Sequence, residues 1–429
     1  MRVAAELELQ AYAAEHADRL VAILRELVSL PSVNSAPAGD EWACQQYVDS
    51  FLRGIGWSPV QYLPTDAPGI EEHPLFWPGR DYTRRPNVAA RRKGSGGGRS
   101  LVLSGHIDTV PVGAAEWKHP PFGARIEGNR LYGRGAADMK CGIATNLFVA
   151  EAIAALGLPL AGDLIVESVV DEEFGGVNGT LAGRLMGYTA DAAVISEPSL
   201  LRICPAQRGG RTVHIAFHAP NGGVLSTQNT SVAEQLRVFL GSVAQFQRQR
   251  DRAVRIHPLY EHLEDPVPVT VARIHTAAWG TSEPSNSPNL CQVELFWQAM
   301  PGESVAEIDR EFFAWFHAML DAYPEIFHSK PSFEFPIRWL PGSAIETDQP
   351  LVNELNKAAV ASLGQVPPVQ GIEGPCDMYV FHEFGIPAVI WGAQGGNLHQ
   401  TDEYVEIDSM SKAAKVLLTF VSRWCGEGV

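Results

Sequence analysis

A chain of 429 residues is too long for one ordinary hydrophobic core and implies two domains or more. With 45% hydrophobic and 19% charged residues it reads as globular, and its apolar stretches are too short to span a bilayer. A formal net charge of −16 argues against nucleic acid and anionic membrane surfaces as partners, since both require a basic face.

In chain order, residues 5–30 read as an amphipathic helix stopping before Pro31, and 40–54 as a second. The opening stretch MRVAAELELQAYAAEH carries acidic residues where a secretory signal has an uninterrupted apolar segment, so a cytoplasmic location is expected. A Pro-rich, aromatic-bearing segment runs from Thr65 to Arg92, followed by the turn GSGGG at 94–98. SLVLSG (100–105), DLIVESVV (163–170) and DAAVI (191–195) are short runs of Val, Ile and Leu ending in Gly or charge, the pattern of parallel strands covered on both faces. Between the first two, IATNLFVAEAIAAL reads as a helix. Over about 207–340 the pattern changes: RTVHIAFHA and CQVELFWQAM alternate as strands, while TSVAEQLRVFLGSVAQFQRQ and SVAEIDREFFAWFHAML read as helices. The aromatic residues in 312–316 are expected in a core. The first pattern resumes near 341, with PLVNELNKAAVASL as a helix and IPAVIWG as a strand. The predicted fold class is α/β. A discontinuous domain, 1–206 with 341–429, has a mostly parallel central sheet flanked by helices, and a smaller α/β domain, 207–340, is inserted in it.

Chemistry concentrates in five islands: GHIDTVP (105–111), GRGAADMKCG (133–142), VVDEEFGG (169–176), SEP (196–198) and GGNLHQTDEYV (395–405). They supply His106, Asp108, Asp138, Glu172, Glu173, Glu197 and His399, an inventory suited to two divalent metals and a general base. Most follow a predicted strand, and open α/β sheets gather ligands at the carboxyl ends of strands. Asp108, two residues beyond His106 on the same side of extended chain, suits the role of a carboxylate that orients a ligating imidazole. Asp138 can bridge two ions, and Gly135 and Gly142 leave room for close approach. Glu172 and Glu173 point apart in an extended backbone, so one can bind metal while the other faces substrate as a base. Counting gives His106, Asp138 and Glu197 for one ion and Asp138, Glu173 and His399 for the other. Mixed nitrogen and oxygen ligands without thiolate favour two Zn2+ per chain, with Co2+ or Mn2+ as substitutes.

With these motifs in this order, essentially the whole chain resembles the M20 family of metallopeptidases and deacylases, which includes acetylornithine deacetylase, succinyl-diaminopimelate desuccinylase, aminoacylase-1 and bacterial glutamate carboxypeptidase. The resemblance implies a zinc-peptidase-type catalytic domain in which Asp138 bridges two zinc ions, Glu172 is the general base and Asp108 orients His106. It also implies that 207–340 is a lid of the kind that forms a homodimer interface.

The lid departs from the family pattern. Where many members carry a histidine shortly after the first lid strand, this chain has Gly222 or Gly223; His214 and His218 lie on the strand itself. Where members often read Asp-x-Arg before Pro-Gly, Phe296 and Gln298 stand here. An oxyanion donor is worth a few kcal/mol in such chemistry, so Asn229, Gln228 and His218 are candidate replacements. Arg208, Arg211 and Arg338 are candidates to grip a substrate carboxylate. Six cysteines without a CxxC pair indicate neither a thiolate metal site nor a disulfide framework; Cys141, where the family commonly has glycine, and Cys376, beside Asp377, read as small hydrophobes.

The expected function is zinc-dependent hydrolysis of an amide bond in a small N-acyl amine or N-acyl amino acid. An alternative is an amidohydrolase acting on a non-amino-acid substrate, such as a formylated, aromatic or heterocyclic amine. A non-catalytic, metal-stabilised binding protein is the third reading. Retention of Glu172 and Asp108 argues against it, since neither is needed merely to hold metal.

Overall fold

The structure is a computed structural model that describes residues 2–176, 178–219, 222–223, 231–276 and 286–426. It divides into two compact units, one comprising 1–206, 344–372 and 376–429, the other 207–343 with Glu373–Pro375.

The first unit is built on a six-stranded mixed sheet in the order Ala388–Ile390, Ala193–Ile195, Leu101–Ser104, Leu164–Ser168, Asn87–Arg92, Val60–Tyr62. The first four are paired in parallel, Asn87–Arg92 runs antiparallel to them, and Val60–Tyr62 pairs antiparallel with Asn87–Arg92. Each parallel strand is buried along its whole length, which is why these segments read as continuous apolar runs rather than alternating ones. The expected first helix is two, Arg2–Glu15 and Ala17–Ser29, interrupted at His16.

Helix Lys140–Ala155 is buried on nearly every side, with Leu147, Phe148 and Ile153 fully enclosed. Each such side chain contributes about 1.5–3 kcal/mol by leaving water. Gly142 lets this helix reach the sheet: a Cβ there would fall 2.1 Å from the Ser196 carbonyl oxygen. The helix also carries a buried cation. Lys140 Nζ donates to the carbonyls of Leu27 (2.9 Å) and Leu30 (2.7 Å), satisfying the end of helix Ala17–Ser29. Burial lowers its pKa, as expected for an ammonium taken out of water.

A smaller antiparallel sheet, ordered Gly395–Gly396, Tyr404–Glu406, Arg130–Tyr132, Arg125–Glu127, pairs the C-terminal part of this unit with residues 125–132. It brings the segment around residue 400 against the one that precedes Asp138.

The second unit is a four-stranded antiparallel sheet, ordered Val269–His275, Leu290–Ala299, Gly209–His218, Ser332–Glu334, with helices Val232–Ala253 and Val305–Ala322. Its first and last strands had no clear alternating signature; Val269–His275 is mostly exposed. Val213, Ile215 and Phe217 point into a core shared with Phe246, Trp297, Phe312, Trp315 and Phe316, as expected for the 312–316 aromatics. Both helices begin on a serine cap: Ser231 accepts from the Glu234 N–H, and Ser304 forms a reciprocal box with Glu307. Among the described residues no helix is long and apolar enough to cross a membrane.

Candidate functional site

The polar islands converge because they leave neighbouring parallel strands at the same edge. Leu101–Ser104 runs into His106 and Asp108, Leu164–Ser168 into Glu172 and Glu173, and Ala193–Ile195 into Glu197. Parallel pairing continues past the strands, with the Ile107 N–H donating to the Val169 carbonyl at 2.9 Å and the Ser196 N–H to that of Ser104 at 3.1 Å. The fourth parallel strand, Ala388–Ile390, leads toward His399.

Two sets of donor atoms result, sharing one carboxylate. His106 Nε2 lies 3.2 Å from Asp138 Oδ1 and 3.2 Å from Glu197 Oε1. His399 Nε2 lies 3.2 Å from Asp138 Oδ2 and 3.1 Å from Glu173 Oε2. Ligand atoms of His106, Asp138 and Glu173 all fall within 4.8 Å of one another. A tetrahedral zinc with bonds of about 2.0–2.1 Å holds its ligand atoms about 3.3–3.4 Å apart, so these sets fit metal ions, and their mixed imidazole and carboxylate chemistry suits zinc. Asp138 turns one oxygen toward each histidine.

The adjacent glutamates differ. Glu173 gives one oxygen to His399 and the other to the Val110 N–H at 3.1 Å. Glu172 stands farther back, its nearer oxygen 3.9 Å from His106 Nε2. Burial pushes the Glu172 carboxyl well above its ordinary value; His106 opposes this, while Asp377, Glu197 and Glu173 reinforce it. The same desolvation raises Glu173 to about 7 and Asp377 to about 7.

Asp108 is fully buried and its carboxyl is held down to about 2: burial alone would raise it, but His106, Asn34 and the Glu173 N–H favour the anion. His106 Nδ1 lies 3.0 Å from the backbone carbonyl of Asp108 and 3.6 Å from its carboxylate, so the shorter contact is to the main chain. A proton on Nδ1 leaves Nε2 free to ligate. The carboxylate itself accepts from the N–H groups of Glu172 (3.2 Å) and Glu173 (3.1 Å) and from Asn34 Nδ2 (2.8 Å), which fixes the loop bearing the paired glutamates.

Several supporting residues gave no signal in the sequence. Asn34 also meets Asp171, whose carboxylate takes Arg80 and the Tyr82 hydroxyl, and Arg85 pairs with Glu41 where both side chains are fully buried. Asp377 accepts from Thr180 Oγ1 at 2.6 Å. Glu403 holds the Asp138 loop. Asp171 and Glu403 lie within the islands at 169–176 and 395–405 but carried no role there, and the others come from segments with no motif of their own; the Pro-rich stretch 65–92, conspicuous only by composition, supplies Arg80, Tyr82 and Arg85.

The candidate substrate contacts lie in the second unit with other partners. Arg208 donates to the carbonyls of Glu373 (2.8 Å) and Pro266 (2.7 Å), and Arg211 pairs in bidentate fashion with Asp309 at 2.9 and 2.8 Å. Arg338 contacts the carbonyl of Trp339 at 3.4 Å. His214 pairs with Glu294 at 2.9 Å, His218 lies 3.4 Å from Ser332 Oγ, and Gln298 donates to the Glu373 carbonyl at 2.7 Å. Asn229 and Gln228 lie outside the described residues. Cys141 is buried, its thiol 3.1 Å from the Ala137 carbonyl, and among the described residues none of the six cysteines is in a disulfide.

The sequence model of peptidase family M20/M25/M40 matches residues 102–423. The N-formyl-4-amino-5-aminomethyl-2-methylpyrimidine deformylase of Halalkalibacterium halodurans is 28% identical over 445 aligned positions, covering 97% of each chain. The succinyl-diaminopimelate desuccinylase of Rhodospirillum centenum is 27% identical over 428 positions, covering 94% of this chain and 97% of the other. In fold, the dipeptidase Dug1p of Saccharomyces cerevisiae matches with a TM-score of 0.79 at 14% identity, covering 100% of both chains. The chain belongs to peptidase family M20/M25/M40 and is a metal-dependent hydrolase of amide bonds.

Proposed function

We propose that this chain is a dinuclear zinc deacylase that hydrolyses a small N-acyl amine, and that its substrate is a formylated amine without an α-carboxylate rather than an N-acyl amino acid. The observation that carries the dinuclear reading is Asp138, whose two oxygens stand 3.2 Å from two different histidines. His106, Asp138 and Glu197 would hold one ion and Asp138, Glu173 and His399 the other. When bound, the ions supply polarisation of the substrate carbonyl and acidify the attacking water.

Glu172 takes a proton as the water oxygen bonds to the carbonyl carbon, and returns it to the nitrogen as the C–N bond breaks, releasing amine and carboxylic acid. Asp108 keeps His106 and the glutamate loop in register through its carbonyl and carboxylate. The enclosed carboxyl of Glu172 suits a group that must hold a proton between the two steps.

Two findings support the substrate class. Arg208 and Arg211, two of the three candidate carboxylate clamps beside Arg338, are engaged by backbone carbonyls and by Asp309. Two relatives covering nearly the whole chain are named as deformylases of an aminomethylpyrimidine. The experiment is amine release by the zinc-loaded protein from N-formyl, N-acetyl and N-succinyl amines, with and without an α-carboxylate, using Glu172→Gln as the blank. Preference for N-formyl amines lacking the carboxylate is expected. Cleavage confined to acyl amino acids contradicts the proposed class and returns the search to an arginine clamp.

A further inference from the structure

We propose that Glu403 is a positioning residue for the metal pair: it ties the loop bearing Asp138 to the loop bearing His399 and thereby sets the affinity of the ion held by Asp138, Glu173 and His399. This rests on the two-metal reading above.

Glu403 is 1% exposed, and both oxygens are doubly engaged. Oε1 accepts from the N–H groups of Ala137 and Asp138, each at 3.0 Å. Oε2 accepts from the Gly135 N–H at 3.0 Å and from Arg134 Nη1 at 2.7 Å. The amides converge because Gly135, at φ +79°, turns the 134–138 segment into a concave anion-binding nest. Arg134 is itself buried, its guanidinium 5.1 Å from the ring centre of Trp117. A buried carboxylate is tolerated when it is this fully paired.

Glu403 lies four residues beyond His399, at the exit of a tight loop in which Asn397, His399 and Asp402 all have left-handed backbone, with φ of 57°, 61° and 55°. Asn397 Nδ2 closes this loop on the Asp402 carbonyl at 3.1 Å, and the Asp402 side chain accepts the His119 N–H at 2.9 Å. The carbonyl of Glu403 in turn accepts the Gly133 N–H at 2.9 Å. Side chain and main chain of one residue therefore fasten the His399 loop to 133–138.

The two histidines depend on this fastening unequally. His106 is held by the sheet and its side chain is 2% exposed, whereas that of His399 is 54% exposed and reaches the site from the loop alone. Loosening Glu403 should therefore act most on the His399 ion, and less on the His106 ion, which shares only Asp138 with the fastened loops.

The test is stepwise zinc titration of the metal-free protein, wild type against Glu403→Gln, which keeps the shape but turns an amide NH2 toward a nest of donors. The first zinc is expected to weaken only slightly and the second by about 10- to 100-fold, the usual effect of removing a group that supports a ligand. Arg134→Lys keeps the buried charge and the three backbone bonds, and is expected to shift the second zinc in the same direction by less. If Glu403→Gln does not fold, Arg134→Lys decides by the same criterion. An unchanged second affinity, or equal weakening of both ions as a purely structural role would give, overturns the inference alone. A wild-type chain binding fewer than two zinc ions overturns the two-metal reading together with it.

Discussion

Glu172 and Glu173 are chemically identical neighbours that the backbone separates into different tasks. Glu173 is fastened between His399 and the Val110 amide, while Glu172 stands 3.9 Å from His106 Nε2. Replacing Glu172 by Gln is expected to lower turnover by about 10²- to 10⁴-fold, the range general acid–base catalysis contributes, while zinc content stays at the wild-type level. Loss of zinc with turnover would instead make Glu172 a ligand. The histidines give a second prediction. In the metal-free site burial would lower His399, but Asp138 and Glu173 hold it up to about 11; His106 is likewise held well above its ordinary value, against burial, by Glu197, Asp108 and Asp138. His399 is thus protonated at about pH 8 before loading and must be neutral to ligate, and His106 is displaced in the same direction, so zinc binding should release protons. Below about pH 7 the raised Glu173 carboxyl adds to the release, and apparent affinity should rise with pH. Calorimetry in buffers of different ionisation heat measures this directly; heats independent of buffer would contradict it. The ligand candidates were legible as residue types beside strand ends. Their supports were not: Asn34, Arg80, Asp171 and Glu403 are common polar residues until the fold removes them from water.

At the scale of elements, the site depends on how closely helix Lys140–Ala155 approaches the strand ends. Gly142 is the contact point, with no space for a Cβ beside the Ser196 carbonyl oxygen, 2.1 Å away. Gly142→Ala is expected to cost about 1–3 kcal/mol of stability through overpacking and to weaken zinc binding by displacing Glu197. Denaturant unfolding and zinc titration check the two effects; a variant as stable as wild type would mean that the helix can shift freely. The sequence marked the strands of the central sheet well, because each is a fully buried apolar run, and it marked Gly142 as a site of close approach. It did not separate the first helix at His16, because the apolar periodicity carries across the break. Nor did it mark Val269–His275, where exposed and half-buried positions leave little alternation to read. The small sheet Gly395–Gly396, Tyr404–Glu406, Arg130–Tyr132, Arg125–Glu127 was equally silent, since strands of two or three residues have no period.

For the whole molecule, the ligand candidates span His106 to His399, and all of them lie in one of the two units. An ion bound there links segments far apart in sequence and should stabilise that unit by mass action, by about 2.7 kcal/mol at a hundredfold excess over Kd. Hydrogen exchange is expected to slow on zinc loading in 105–110, 134–140, 169–175 and 395–405, and to stay unchanged in Val232–Ala253 of the other unit. Protection spread evenly over both units would contradict a site confined to the first. The net charge of −16 fits this picture in part, since the four candidate ligand and base carboxylates, Asp138, Glu172, Glu173 and Glu197, together with Asp108, form the cluster that cations would neutralise. The measurement that bears most directly on the two-metal centre is zinc per chain after equilibrium dialysis, in wild type and in Glu173→Gln. Two ions in the wild type and close to one in the variant are expected. One ion in the wild type, or two in both, would contradict a metal pair bridged by Asp138.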